Sequence, residues 1–145
     1  MIRIVVGPEP IDLAAALLGL EQAGAGAIAT FTGLVRSDDG VTRLELEHYP
    51  GMTEKVLSGL AEEASARWGL LAVAVVHRVS AMTPGERIVF VGTAAAHRQA
   101  ALEACSYLID RLKTDAPFWK REQRAHDAQW VEARASDDAA AVRWD

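Results

Sequence analysis

Between Ala101 and Glu122 the hydrophobic period of the chain changes once, and Pro117 marks the change. In "AALEACSYLIDRLK" the residues Ala101, Ala104, Cys105, Leu108 and Leu112 recur at helical spacing and form one apolar face. A helix therefore starts near His97. Asp115-Ala116-Pro117 ends it, because the proline ring crowds the preceding residue out of the helical region. In the extended "FWKRE" that follows, Phe118, Lys120 and Glu122 share one face while Trp119 and Arg121 share the other.

The rest of the chain mixes the same two periods. "IRIVVG" reads as a short strand and "EPIDLAAALLGLEQAG" as a helix, with Pro10 at its first position, Asp12 in its first turn and Leu13, Leu17 and Leu20 on one face. "GAIATFTGLVR" is a strand with Phe31 and Val35 on one side and Ile28 and Leu34 on the other. After the turn "SDDG", "TRLELEHY" alternates sharply, with Leu44 and Leu46 inward and Arg43, Glu45 and Glu47 outward. "PGMTEKVLSGLAEEASARWG" is an amphipathic helix stopped by Gly69. "LAVAVVHRVS" and "RIVFVGTA" are strands joined by "AMTPGE", whose Pro84-Gly85 marks a turn. "FWKREQ" and "QWVEAR" form two short strands, and "SDDAAAVRW" a last short helix capped by Ser136. No repeat or linker divides the pattern. It describes one α+β domain over residues 1–145, a mostly antiparallel sheet with packed helices.

Bulk properties narrow the function classes. The 145 residues carry a net charge of −5, so the overall field gives no reason to expect nucleic acid or an anionic membrane as a partner. No apolar run approaches the ~18 residues of a membrane span, and "MIRIVVGPEPIDL" has neither the basic leader nor the apolar stretch of a signal peptide. One cysteine forms no internal disulfide, which suits a reducing cytoplasm. Nothing in the pattern suggests a metal cage or a bound cofactor. Cys105 lies on the apolar helix face with no neighbouring base, which marks it as a core residue and not a nucleophile.

Chemistry concentrates around the same helix. His97 and Arg98 fall at its N-terminus, where unpaired N–H groups and positive partial charge suit an anion; Arg98, with His97 beside it, can complete a phosphate site there. At the other end, five basic residues (Arg111, Lys113, Lys120, Arg121 and Arg124) stand against Asp115 and Glu122. A lysine in the last helical turn is also what the helix dipole favours. Amines crowded by other cations, however, serve as proton donors and acceptors near neutral pH. From His97 to Lys113 is sixteen residues of one helix, roughly 24 Å. One small substrate does not touch both. Either there are two sites, or a homodimer assembles each site from opposite ends of two helices. By pattern alone Phe31 is a core residue, Arg36 an exposed strand end and Arg134 a strand-edge charge.

Taken together, "GAIATFTGLVR", "LELEHYPGMTEK", "VVHRVSAMTPGE", "IVFVGTAAAHR", "YLIDRLKTDAPFWKRE" and "WVEAR" resemble the large, catalytic subunit family of molybdopterin synthase, in that family's order and over nearly the whole chain. The resemblance implies an α/β hammerhead fold. It implies a sulfurtransferase that converts cyclic pyranopterin monophosphate into molybdopterin by dithiolene formation. The sulfur donor would be the C-terminal Gly-Gly thiocarboxylate of a small ubiquitin-like subunit, in a heterotetramer built on a large-subunit homodimer. Carried over by motif, Lys113 and Lys120 are the catalytic residues, Phe31 and Arg36 line the pocket, and His97, Arg98 and Arg134 contact pterin and phosphate, some of them from the neighbouring subunit. Ile109 lies on the pocket side by the same resemblance and in the core by its helical position. The rival classes are a non-catalytic phosphate- or pterin-binding module and a scaffold that docks a ubiquitin-like fold.

Overall fold

The computed structural model describes residues 1–37, 40–124, 128–131 and 140–144, the segment 128–131 through its backbone alone. The elements run β1 (Ile2–Gly7), α1 (Leu13–Glu21), β2 (Ala27–Leu34), β3 (Val41–His48), α2 (Met52–Trp68), β4 (Ala72–Arg78), β5 (Ser80–Met82), β6 (Arg87–Ala95), α3 (Arg98–Asp115), β7 (Phe118–Arg124) and β8 (Ala128–Val131). One four-stranded sheet has the order β1-β4-β6-β2 and the other β5-β3-β7-β8. The β1–β4 pair is parallel, and every other pairing is antiparallel. The mostly antiparallel α+β arrangement read from the sequence is what the chain adopts.

Strand β4 is apolar on both sides because helices cover both. Val73 and Val75 face Leu57, Leu60, Ala61 and Ala64 of α2 and Ala101, Cys105, Leu108 and Leu112 of α3. Ala72 and Ala74, on the opposite face with Phe90 and Ala94, receive Ala16 and Leu20 of α1. Gly92 makes that approach possible: a Cβ there would stand 2.3 Å from Leu20 Cδ1. Truncating the fully buried Leu20 to Ala would cost on the order of 2–5 kcal/mol.

Local chemistry sets the helix ends. Asp12 caps α1, its Oδ1 accepting the Ala15 N–H at 3.1 Å. Helix α1 therefore begins at Leu13, and Pro10 lies before it, not in its first turn. The buried stripe is Ala16 and Leu20 with Leu13 half-buried beside them, and Leu17 stands exposed. Gly69 stops α2 in the left-handed conformation at φ 61°. At the chain's end residues 140–142 are helical, with Trp144 edge-on to Trp68 and Tyr107; Ser136 lies outside the described residues.

The two sheets join at a small apolar knot of Val35, Leu44, Leu46, Val79 and Met82, with Phe118 packed against it. The chain passes from one sheet to the other between Arg78 and Ser80, so the strand expected across "LAVAVVHRVS" is broken there. Ser80 has φ 74°, the only described non-glycine residue with positive φ. That is a backbone state an L-residue holds only when its surroundings enforce it. Met82, fully buried on β5 opposite Leu44, supplies that anchorage.

Candidate active site

At its start, α3 is seated on the sheet by Thr93 of β6, which is fully buried and donates its hydroxyl proton to the Ala101 carbonyl at 2.6 Å. His97 occupies the N-cap with extended backbone and makes no side-chain cap bond. His97 and Arg98 both stand exposed beside the free N–H groups of the first turn. This end offers donors and positive charge, which suits an anion arriving from outside.

The far end of α3 is held tightly. Ala116 N–H donates to the Leu112 carbonyl at 3.2 Å, and Phe118 N–H to the Ala116 carbonyl at 2.9 Å, closing a sharp bend around Pro117. Thr53, 0% exposed at the start of α2, fastens that bend: its hydroxyl donates to the Pro117 carbonyl at 3.1 Å and accepts the Tyr49 N–H at 3.0 Å. Strand β7 then returns along β3 with Phe118 opposite His48, Lys120 opposite Leu46 and Glu122 opposite Leu44. Phe118, Lys120 and Glu122 are half-buried on the inner side with Leu44 and Leu46, as the alternation requires. Trp119 points outward, edge-on to Tyr49 with ring centroids 4.1 Å apart. Lys113 stands exposed in the last turn of α3.

Beside these residues lies His77. It continues the Val73–Val75 face of β4 at the end of the strand, and 6% of its surface is exposed. Its ring stacks on Phe118, with centroids 4.0 Å apart and planes 23° apart. Nδ1 lies 2.9 Å from the Arg78 carbonyl oxygen. A carbonyl only accepts, so Nδ1 carries the proton and Nε2 is left with its lone pair. Burial pushes the imidazole pKa down to about 4; the Arg78 bond opposes this, while the charges of Lys113, Lys120 and His48 add to it. Both lysines therefore lie near enough to act on the same buried ring. His48 comes from β3 and pairs loosely with Glu54 of α2 at 3.9 Å.

Lys113 and Lys120 thus act electrostatically on the same buried ring, one from the end of α3 and one from β7. Arg36 stands exposed two residues beyond β2. Because Ala27 of β2 pairs with Ala95 at the start of the turn into α3 and Leu34 with Arg87, Arg36 lies toward the Lys113 end. Phe31, opposite Val91 midway along the edge strand β2, is partly buried against the core under α2 and α3. His97 and Arg98 occupy the opposite end of the 18-residue α3, roughly 24 Å away. Arg134 lies outside the described residues. Ile109 is partly buried against the main core. Cys105 is buried, with its thiol pushed up to about 11 by desolvation, and is therefore not a nucleophile. Sequence reasoning missed His77 and Thr53. The signal for His77 was present: a polar residue in phase with Val73 and Val75 at the end of an apolar strand. Thr53 gave none, since its partners at Tyr49 and Pro117 are set by the fold.

A family model described as MoaE protein matches residues 6–115. The molybdopterin synthase catalytic subunit of Escherichia coli (strain K12) is 51% identical over 146 residues, covering 98% of this chain and 97% of that protein. The solved molybdopterin biosynthesis MoaE protein of Burkholderia ambifaria superposes with a TM-score of 0.87 at 46% identity, covering 99% of this chain and 98% of that one. A solved complex of subunits 1 and 2 of molybdopterin-converting factor from Helicobacter pylori shares the fold, with a TM-score of 0.76 at 20% identity over 92% of this chain and 91% of that one.

Proposed function

The chain belongs to the MoaE protein family and is an enzyme of molybdenum cofactor biosynthesis, and from that premise we propose how its residues act. The substrate is cyclic pyranopterin monophosphate. The sulfur for the dithiolene comes from the C-terminal thiocarboxylate of a small ubiquitin-like subunit, whose Gly-Gly tail enters beside Lys113 and Lys120. The two amines neutralise the tail's negative charge and move protons as the pterin ring opens and sulfur adds. Phe31 and Arg36 line the pocket. His97, Arg98 and Arg134 bind the pterin and its phosphate, and they do so across a homodimer, because His97 and Lys113 of one chain are too far apart for one substrate. The whole chain acts as one domain in the cytoplasm.

The observation that carries this reading is a buried histidine stacked on Phe118, at a bend tied by Thr53, on which the charges of two lysines from different elements act. A surface salt-bridge patch has no use for such preparation. A sulfur carried in by a partner also accounts for Cys105 being a buried thiol. Lys113→Ala is expected to abolish dithiolene product from thiocarboxylated small subunit and pterin substrate, while dimerisation and small-subunit binding persist. Full turnover by that variant would refute the assignment.

A further inference from the structure

We propose that His77 is a positioning residue for this reaction: its Nε2 lone pair is a fixed, uncharged hydrogen-bond acceptor that orients the amines of Lys113 and Lys120. The inference rests on the reading above, in which those lysines carry the chemistry.

Three constraints hold the ring. The strand register puts His77 on the face covered by α2 and α3, at the end of β4 where α3 finishes. The Nδ1 bond to the Arg78 carbonyl fixes the ring plane and the tautomer together. Stacking on Phe118 ties it to the bend that sets Lys120 two residues further on. A ring flip would leave the Arg78 carbonyl without this donor.

The charges around the ring explain why a histidine suits this place. Lys113 of α3, Lys120 of β7 and His48 of β3 all act on it electrostatically. A carboxylate among these groups would hold both amines as ammonium ions in tight pairs. An apolar residue would offer the amines no acceptor at this place. A neutral imidazole accepts a proton-bearing amine without adding charge, so an amine is oriented while its proton stays transferable. Low basicity keeps the imidazole in that neutral form at the pH where the lysines work.

The first test reads the ring directly, by 15N NMR of the histidine side chains in the full-length dimer. The expected result is a neutral His77 with protonated Nδ1 and bare Nε2 at neutral pH, whose Nε2 resonance moves in Lys113→Ala, Lys120→Ala or both. An imidazolium, the opposite tautomer, or an Nε2 signal unmoved in both variants would overturn the proposal. The second test is kinetic, on the complex with thiocarboxylated small subunit. His77→Phe keeps the stack and is expected to lower kcat roughly 10- to 100-fold with little change in KM for the pterin phosphate. His77→Gln, which returns a neutral acceptor near the Nε2 position, is expected to recover most of that loss. Wild-type kcat in the Phe variant, or equal losses in both, contradicts the proposal. Failure of the parent reading looks different: Lys113→Ala then turns over normally while the NMR result still stands or falls by itself.

Discussion

At its C-terminal end α3 runs into a bend whose backbone bonds are made and whose neighbouring side chains are anchored, whereas at its N-terminal end it presents His97 and Arg98 to solvent. The first end has Thr53, Pro117, Phe118 and His77 behind its lysines. At the second, the backbone is seated by Thr93 while the His97 and Arg98 side chains stand exposed. On the proposed function, the difference separates two kinds of work. Proton transfer needs groups fixed to within a fraction of an ångström, so support is built beneath them. Capture of a phosphate needs charge and donors on an accessible helix end, and the ligand itself supplies the order.

If that contrast is right, substitutions at the two ends should fail in different ways. The largest effect is expected from Lys113→Ala and Lys120→Ala, each lowering kcat by roughly 10²–10⁴-fold with the melting temperature almost unchanged. Arg98→Ala is expected to raise KM for the pterin phosphate about tenfold or more, losing a charge-assisted bond of roughly 1.5–3 kcal/mol, with kcat much less affected. A kcat collapse in Arg98→Ala with KM intact would break the distinction. Thr53→Val should behave as a supporting substitution: stability lower by about 1–3 kcal/mol, because the Tyr49 N–H and Pro117 carbonyl lose their shared partner, and kcat lowered with it. Thr53→Ser should restore both.

A subtler signature lies in the pH dependence of stability. In the unfolded chain His77 has its ordinary pKa of 6.5, and in the folded protein about 4. Unfolding therefore takes up a proton between those values, and stability falls as the pH drops through that window, by about 3 kcal/mol in total. Denaturant midpoints measured from pH 7 down to 4 should show this slope in the wild type and a shallower one in His77→Gln. The smallest effect is expected for Cys105→Ala, a change of about 1 kcal/mol in stability and none in sulfur transfer.

Much of this was legible in the sequence because local rules and tertiary demands agreed. The apolar stripe from Ala101 to Leu112, the stop at Pro117 and the alternation of Phe118, Lys120 and Glu122 all appear as written. Where the two diverged, tertiary packing prevailed. Leu17 matches the helical period of α1, yet the groove opened by Gly92 admits Leu20, and Leu17 is left outside. The strand through "VVHRVS" looks continuous, but the chain changes sheets at Val79 and accepts a positive φ at Ser80 to do so. The lysines could be singled out as crowded charges. His77 carried a fainter signal, a polar residue in phase with Val73 and Val75, which becomes meaningful only when Phe118, Lys113 and Lys120 arrive from distant parts of the chain.

The most direct measurement uses a dimer made from two differently tagged chains, one carrying Lys113→Ala and the other Arg98→Ala, purified through both tags. If each pocket draws its amines from one copy and its phosphate grip from the other, one pocket of the pair is intact and the other carries both lesions. Assayed at pterin concentrations well below KM, where both parent variants are slow, the expected rate is then about half that of the wild-type dimer. A rate no higher than that of the two parent variants would mean that each pocket is built within one chain, and the two-copy account would be wrong.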